Sequence, residues 1–119
     1  SEQVGDKVIN FCGKLSITES AYVLNNSQLV ISNDTGMMHL AAAFHKPMIS
    51  IWGNTVPEFG MYPLYPINCD TINVYFQNNK ISCRPCSKLG YSKCPKKHFD
   101  CMMRLKPDEL NDLCYKMLQ

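Results

Sequence analysis

Several classes of protein are excluded by what this sequence does not contain. No run of 18 or more apolar residues occurs, so no transmembrane helix is expected. The first residues are polar and no apolar segment follows them, so no secretory leader is expected. There is no internal repeat and no low-complexity tract. Charge of one sign is also scarce: the net charge is only +2, which says little about partners. With 119 residues, 45% hydrophobic and 18% charged, the composition is that of one globular domain with a modest core.

Cysteine is abundant by contrast. Seven are present, and four of them, Cys83, Cys86, Cys94 and Cys101, fall within residues 83–101. The odd number and uneven spacing argue against a fully paired secreted scaffold. Cys12, Cys69 and Cys114 are scattered and read as reduced thiols packed as small hydrophobes. Basic residues gather in the same region: from Lys80 to Lys106 there are eight, against one acid, Asp100.

Along the chain, Val8-Ile9-Asn10-Phe11 reads as a short strand ended by Gly13. Ser16 and Glu19 have capping-box spacing, which predicts a helix from Ile17 to about Asn25-Asn26. Leu29-Val30-Ile31-Ser32 reads as a strand buried on both faces, because it lacks alternation. Gly36 to Phe44 reads as a helix apolar on nearly every side, hence buried, and Lys46-Pro47 stops it. Met48 to Trp52 and Thr71 to Phe76 read as two further strands, separated by a Pro-, Gly- and aromatic-rich loop. In that loop and its flanks, Trp52, Tyr62 and Tyr65 read as core and packing residues. Pro107-Asp108-Glu109 opens a last helix with Leu110, Leu113, Cys114 and Met117 on one stripe. Strands alternating with helices predict an α/β fold with a parallel sheet over residues 7–76. Residues 77–106 then form a Cys- and Lys-rich insertion, and 107–119 the C-terminal helix.

The run Ser32-Asn33-Asp34-Thr35-Gly36 is a strand-to-helix corner of the kind that presents helix amides to an anion. Asp34 or Thr35 can cap the helix, and Gly36 lets a ligand approach the backbone. The plainer reading is a cap without a ligand, but the corner lies at the C-terminal end of a parallel strand, where open α/β sheets bind ligands. His39, one turn in, leans back toward the corner; it either meets a bound phosphate or is hydrogen-bonded within the core. Gly13-Lys14-Leu15-Ser16 is a second corner. Leu15 either faces a nucleotide base or belongs to the core, and Lys14 either meets an anion or is solvated.

The spacing Cys83-x2-Cys86-x7-Cys94-x6-Cys101 admits structural zinc, reduced thiols or disulfides, with His98 a substitute ligand. Its second pair lacks the short spacing of a zinc ribbon. The basic stretch Lys93-Cys94-Pro95-Lys96-Lys97-His98 is either a solvated face or a contact for an anionic membrane surface or a phosphorylated acceptor. No aromatic stacking platform is interleaved with these charges, so nucleic acid is not an expected partner.

Taken together, these segments resemble the C-terminal part of glycosyltransferase family 9, the heptosyltransferase family. The family's corner before a helix is matched by Cys12-Gly13-Lys14-Leu15-Ser16. Its hallmark is matched from Ser32 to Ala43, with Met37 in place of proline. Its following loop is matched with two departures by Gly53-Asn54-Thr55-Val56-Pro57. The cysteine pattern of many members is matched by Cys83, Cys86, Cys94-Pro95 and Cys101. The resemblance implies a partial Rossmann-like parallel sheet, the later part of the C-terminal domain of a two-domain GT-B glycosyltransferase. It implies that Asp34, Thr35 and Gly36 hold the donor diphosphate, that His39 stands beside it and that Leu15 lies against the base. The implied chemistry is inverting, cofactor- and metal-independent transfer of heptose from ADP-heptose to a lipopolysaccharide core or lipid-linked acceptor, in the cytoplasm or at the inner-membrane surface. The implied general base is an Asp in a preceding domain, so no catalytic residue is assigned here and this piece alone is expected to be inactive. Two other readings stand beside it: a zinc-stabilised interaction module, and another sugar-nucleotide enzyme of the same architecture, such as an epimerase.

Overall fold

The computed structural model describes residues 7–119. Its centre is a three-stranded parallel sheet of β1 (Val30–Asn33), β2 (Met48–Trp52) and β3 (Asn73–Gln77), in the order β1-β2-β3. Helices α1 (Ile17–Asn25) and α2 (Gly36–Ala43) precede and follow β1. Two more, α3 (Asp100–Met103) and α4 (Pro107–Met117), follow β3, and a 3-10 turn spans Pro57–Phe59. The α/β class and the parallel sheet agree with the sequence pattern.

Each element starts where local chemistry dictates. Ser16 caps α1 as a complete capping box: its Oγ accepts the Glu19 amide at 3.3 Å, and its own amide donates to Glu19 Oε2 at 2.7 Å. Pro107 stands in the first turn of α4 with Asp108 and Glu109, where the dipole favours acids. The leucine stripe of α4 is half-buried, and its other faces are open to solvent.

The core lies between α2 and the sheet. Met38, Ala41 and Ala42 of α2 meet Val30, Met48 and Trp52, all buried, and Leu24 of α1 and Tyr65 pack on their margin. Trp52 is fully buried, so its indole N–H needs a partner, and it donates to Ser50 Oγ at 3.1 Å. Its ring also meets Tyr75 edge-on at 6.2 Å. Tyr65 donates to the Lys46 carbonyl at 2.8 Å, and burial, with smaller effects of Cys69 and Tyr75, pushes its phenol up to about 12.

Three sequence expectations are corrected. Val8-Ile9-Asn10-Phe11 is not a strand. A strand needs a ladder partner, and this segment joins none; instead the Cys12 amide donates to Asn10 Oδ1 and the Lys14 amide to the Phe11 carbonyl, which closes a turn. β1 is not buried on both faces: Val30 is buried but Ile31 is 48% exposed, because β1 is an edge strand covered only on the α2 side. α2 is likewise buried along one face only, with Met37, His39 and Ala43 open to solvent. In both, apolar composition was read as two-sided burial, and composition does not report how many neighbours an element has.

Replacing Ser50 with alanine leaves the Trp52 N–H buried without a partner. Urea denaturation is expected to show a loss of about 1–3 kcal/mol for Ser50→Ala relative to the parent.

Candidate functional site

Parallel pairing brings the C-terminal ends of the strands to one edge. Asn33 pairs with Ile51 and Trp52 with Gln77, so the Ser32–Gly36 corner and the loop after β2 emerge side by side. A cavity of about 300 Å³ opens there. Asn33 and Asp34 line it from β1, Asn54 and Thr55 from the loop, and Tyr91 and Phe99 from the Cys-rich segment.

At the corner, Thr35 is the N-cap of α2 but makes no capping hydrogen bond from its side chain. Its Oγ1 lies 3.3 Å from Ser32 Oγ instead. Asp34 is also turned away from the helix, and its Oδ2 accepts from Thr55 Oγ1 at 3.5 Å. The first-turn amides of α2 are therefore left without a side-chain acceptor, on an exposed surface formed by Thr35, Gly36 and Met37. A Cβ built on Gly36 would meet nothing within 4 Å, so the space beside the corner is open.

His39 is exposed on the outer face of α2, one turn from Thr35 and Gly36. It makes no side-chain hydrogen bond among the described residues, so it is not a core histidine. Thr35, Gly36 and His39 flank the cavity rather than line it; Asp34 belongs to both. Leu15 is half-buried and Lys14 exposed, and neither lines the cavity.

The Cys-rich segment forms the opposite wall, held to the loop after β2 by hydrogen bonds. The Cys86 amide donates to the Asn54 carbonyl at 2.9 Å, and Asn54 Nδ2 donates to the Tyr91 carbonyl at 2.9 Å. Arg84 Nη2 donates to the Thr55 carbonyl at 2.8 Å. Two glycines permit the close approach. A Cβ on Gly90, whose φ is +78°, would stand 2.8 Å from Asn54 Oδ1, and one on Gly53 would stand 2.8 Å from Met102 Sδ. Sequence reasoning missed Asn54, Thr55, Arg84, Tyr91 and Phe99, whose roles depend on this long-range docking. The sequence signals for Asn54 and Thr55 were their position just past a parallel strand and the resemblance of Gly53-Asn54-Thr55-Val56-Pro57 to a family loop.

Cys83, Cys86, Cys94 and Cys101 are all free thiols. Among the described residues no three His, Cys, Asp or Glu side chains gather as a group that could hold a metal ion. Cys86 Sγ points at the Cys83 carbonyl, and Cys101 is buried. His98 Nε2 lies 3.8 Å from Cys83 Sγ, while its Nδ1 accepts the Asp100 amide at 3.0 Å. Cys94 Sγ accepts the Phe99 amide at 3.4 Å, and this bond, with help from neighbouring amides, holds the thiol below the usual range. Burial, then the nearby Cys86, pushes the Cys101 thiol up.

The model of glycosyltransferase family 9 (heptosyltransferase) matches residues 2–92. The match of the chain to a glycosyltransferase family does not favour the reading of a separate zinc-built module. Lipooligosaccharide heptosyltransferase 2 of Campylobacter jejuni serotype O:2 is 30% identical over 114 residues, covering 95% of this chain and 33% of that protein. Lipooligosaccharide heptosyltransferase 2 of Haemophilus influenzae is 34% identical over 58 residues, covering 49% and 17%. Lipopolysaccharide heptosyltransferase 1 of Salmonella typhimurium is 38% identical over 53 residues, covering 44% and 17%. The chain thus spans a third or less of these relatives. No solved structure matches it.

The thiol environments order the cysteines by reactivity. Because only the thiolate reacts, iodoacetamide labelling followed by peptide mass spectrometry is expected to modify Cys94 at lower pH than Cys101. Labelling of both rises with pH, and Cys101 is modified last.

Proposed function

Because the chain belongs to glycosyltransferase family 9, we propose that it is the donor-binding part of an enzyme that transfers heptose from ADP-heptose to a lipopolysaccharide or lipooligosaccharide core acceptor, with inversion. The observation that carries this reading is the uncapped, exposed N-terminus of α2 at the C-terminal end of β1, beside a cavity of about 300 Å³. The donor diphosphate sits at the amides of Gly36 and Met37, where the helix dipole adds partial positive charge. As the bond to the sugar breaks, negative charge grows on the leaving diphosphate, and fixed amides stabilise it without reorganising. His39 stands on the same exposed face and adds a donor to the phosphates. The sugar extends from the corner into the cavity between Asp34, Asn54 and Tyr91. Leu15 is the proposed contact for the base, supported by its place in the Gly13-Lys14-Leu15-Ser16 corner.

The partners follow from the same surface. No helix among the described residues is long and apolar enough to cross a membrane. Lys88, Lys93, Lys96 and Lys97 are exposed beside Leu89, itself 79% exposed. We assign this basic, partly apolar rim to the phosphorylated acceptor and the anionic inner-membrane surface that holds it.

The test exploits a substitution that the helix tolerates. Proline is favoured at the first helical position, and Thr35 already has the extended backbone (φ −149°, ψ 167°) that a following proline requires. Gly36→Pro removes one amide donor and blocks the approach to the corner. Calorimetric titration of the full-length protein with ADP is expected to show affinity weakened by roughly 10- to 100-fold, with the thermal midpoint preserved. Unchanged affinity would refute the assignment.

A further inference from the structure

Arg84 is placed unlike the other basic residues of its segment. It is half-buried, no carboxylate pairs with it among the described residues, and its Nε is buried with no acceptor. Its partners are all neutral. Nη2 donates to the Thr55 carbonyl at 2.8 Å and to Gln77 Oε1 at 2.9 Å. Nη1 donates to the Asn78 carbonyl at 2.9 Å and to Asn79 Oδ1 at 3.4 Å. Gln77 ends β3, and Thr55 lies just past β2, so one guanidinium ties the exits of two adjacent strands to the Cys-rich segment.

A cation held this way loses hydration and contacts no counter-ion, the Glu58 carboxylate acting on it only at a distance, an arrangement that favours a role in geometry over one in stability. The geometry it sets leads to the corner. Fixing the Thr55 carbonyl fixes the backbone that carries Thr55 Oγ1, and that hydroxyl donates to Asp34 Oδ2 at 3.5 Å. Asp34 is thereby turned away from the first-turn amides of α2, which stay open for a ligand. The planar fork matters, because its nitrogens reach four acceptors on two segments at fixed angles; a lysine offers one ammonium in one place.

We propose that Arg84 is a positioning residue of the donor site, holding the loop after β2 so that Thr55 keeps Asp34 off the N-terminus of α2. The proposal rests on the donor-binding reading given above. It also explains why a segment rich in lysine commits its one half-buried cation to main-chain carbonyls and amides rather than to an acid.

The test compares three variants of the full-length enzyme by steady-state kinetics with the nucleotide-sugar donor varied. Arg84→Lys keeps the charge and loses the fork, and it is expected to raise the donor KM by roughly tenfold with kcat little changed. Thr55→Val keeps the side-chain shape, removes the hydroxyl and breaks the same chain one link later, so it is expected to reproduce that shift. The double variant is expected to be no worse than the more impaired single one, because both cut one pathway. Gly36→Pro serves as the control for the corner itself. If Gly36→Pro raises the donor KM while Arg84→Lys and Thr55→Val leave it unchanged, or if their effects simply add, the positioning role is overturned and the donor site stands. A lowered thermal midpoint for Arg84→Lys without a KM change also overturns it. If Gly36→Pro itself has no effect, the donor-binding reading falls and the proposal falls with it. Should Arg84→Lys fail to fold, Thr55→Val alone decides the link.

Discussion

The parallel pairing of β1 with β2 is the constraint on which the rest depends. A parallel ladder sends both strands out at the same edge, so the Asn-Asp-Thr-Gly corner and the loop at Gly53-Asn54-Thr55 must meet there. The register, Asn33 opposite Ile51, sets Asp34 within reach of Thr55. The buried middle strand is tied to β3 by side chains as well as by its ladder, Trp52 donating to Ser50 and Ser50 to Asn73. An anion-binding corner works through amides that do not move when charge develops on the ligand.

The Cys-rich segment takes its meaning from this edge. Alone it has no periodic helix or strand pattern, and its four thiols gather no metal site. It is ordered by being hydrogen-bonded to the loop after β2 through Asn54, Cys86 and Arg84, and by glycines that let the backbones approach. The same contacts make it one wall of the cavity. The lysines of the segment are exposed to solvent.

The sequence was legible where local chemistry decides structure. The capping box at Ser16 and Glu19, proline at the start of α4, and the apolar runs of β1 and β2 were readable because each signal sits within a few residues of its effect. The corner at Asp34-Thr35-Gly36 was readable for the same reason. The family resemblance carried by that corner and the cysteine order is matched by the family model. Val8-Ile9-Asn10-Phe11 was misread because its alternative, a turn closed by the Asn10 side chain, competes locally with strand pairing that needs a distant partner. Burial of β1 and α2 was overestimated because an apolar run does not reveal that its element is an edge. The roles of Tyr91 and Arg84 were invisible because they arise from contacts 29 to 37 residues away along the chain, in the bonds of Arg84 to Thr55 and of Asn54 to Tyr91.

The account turns on whether the N-terminus of α2 receives a nucleotide diphosphate. The direct measurement is a titration of ADP, then UDP, into the isotopically labelled full-length protein, with the amide resonances of Gly36, Met37 and His39 followed by NMR. The account predicts saturable shifts at those amides, tighter with ADP than with UDP. Saturable binding of ADP that leaves those three resonances in place would contradict it.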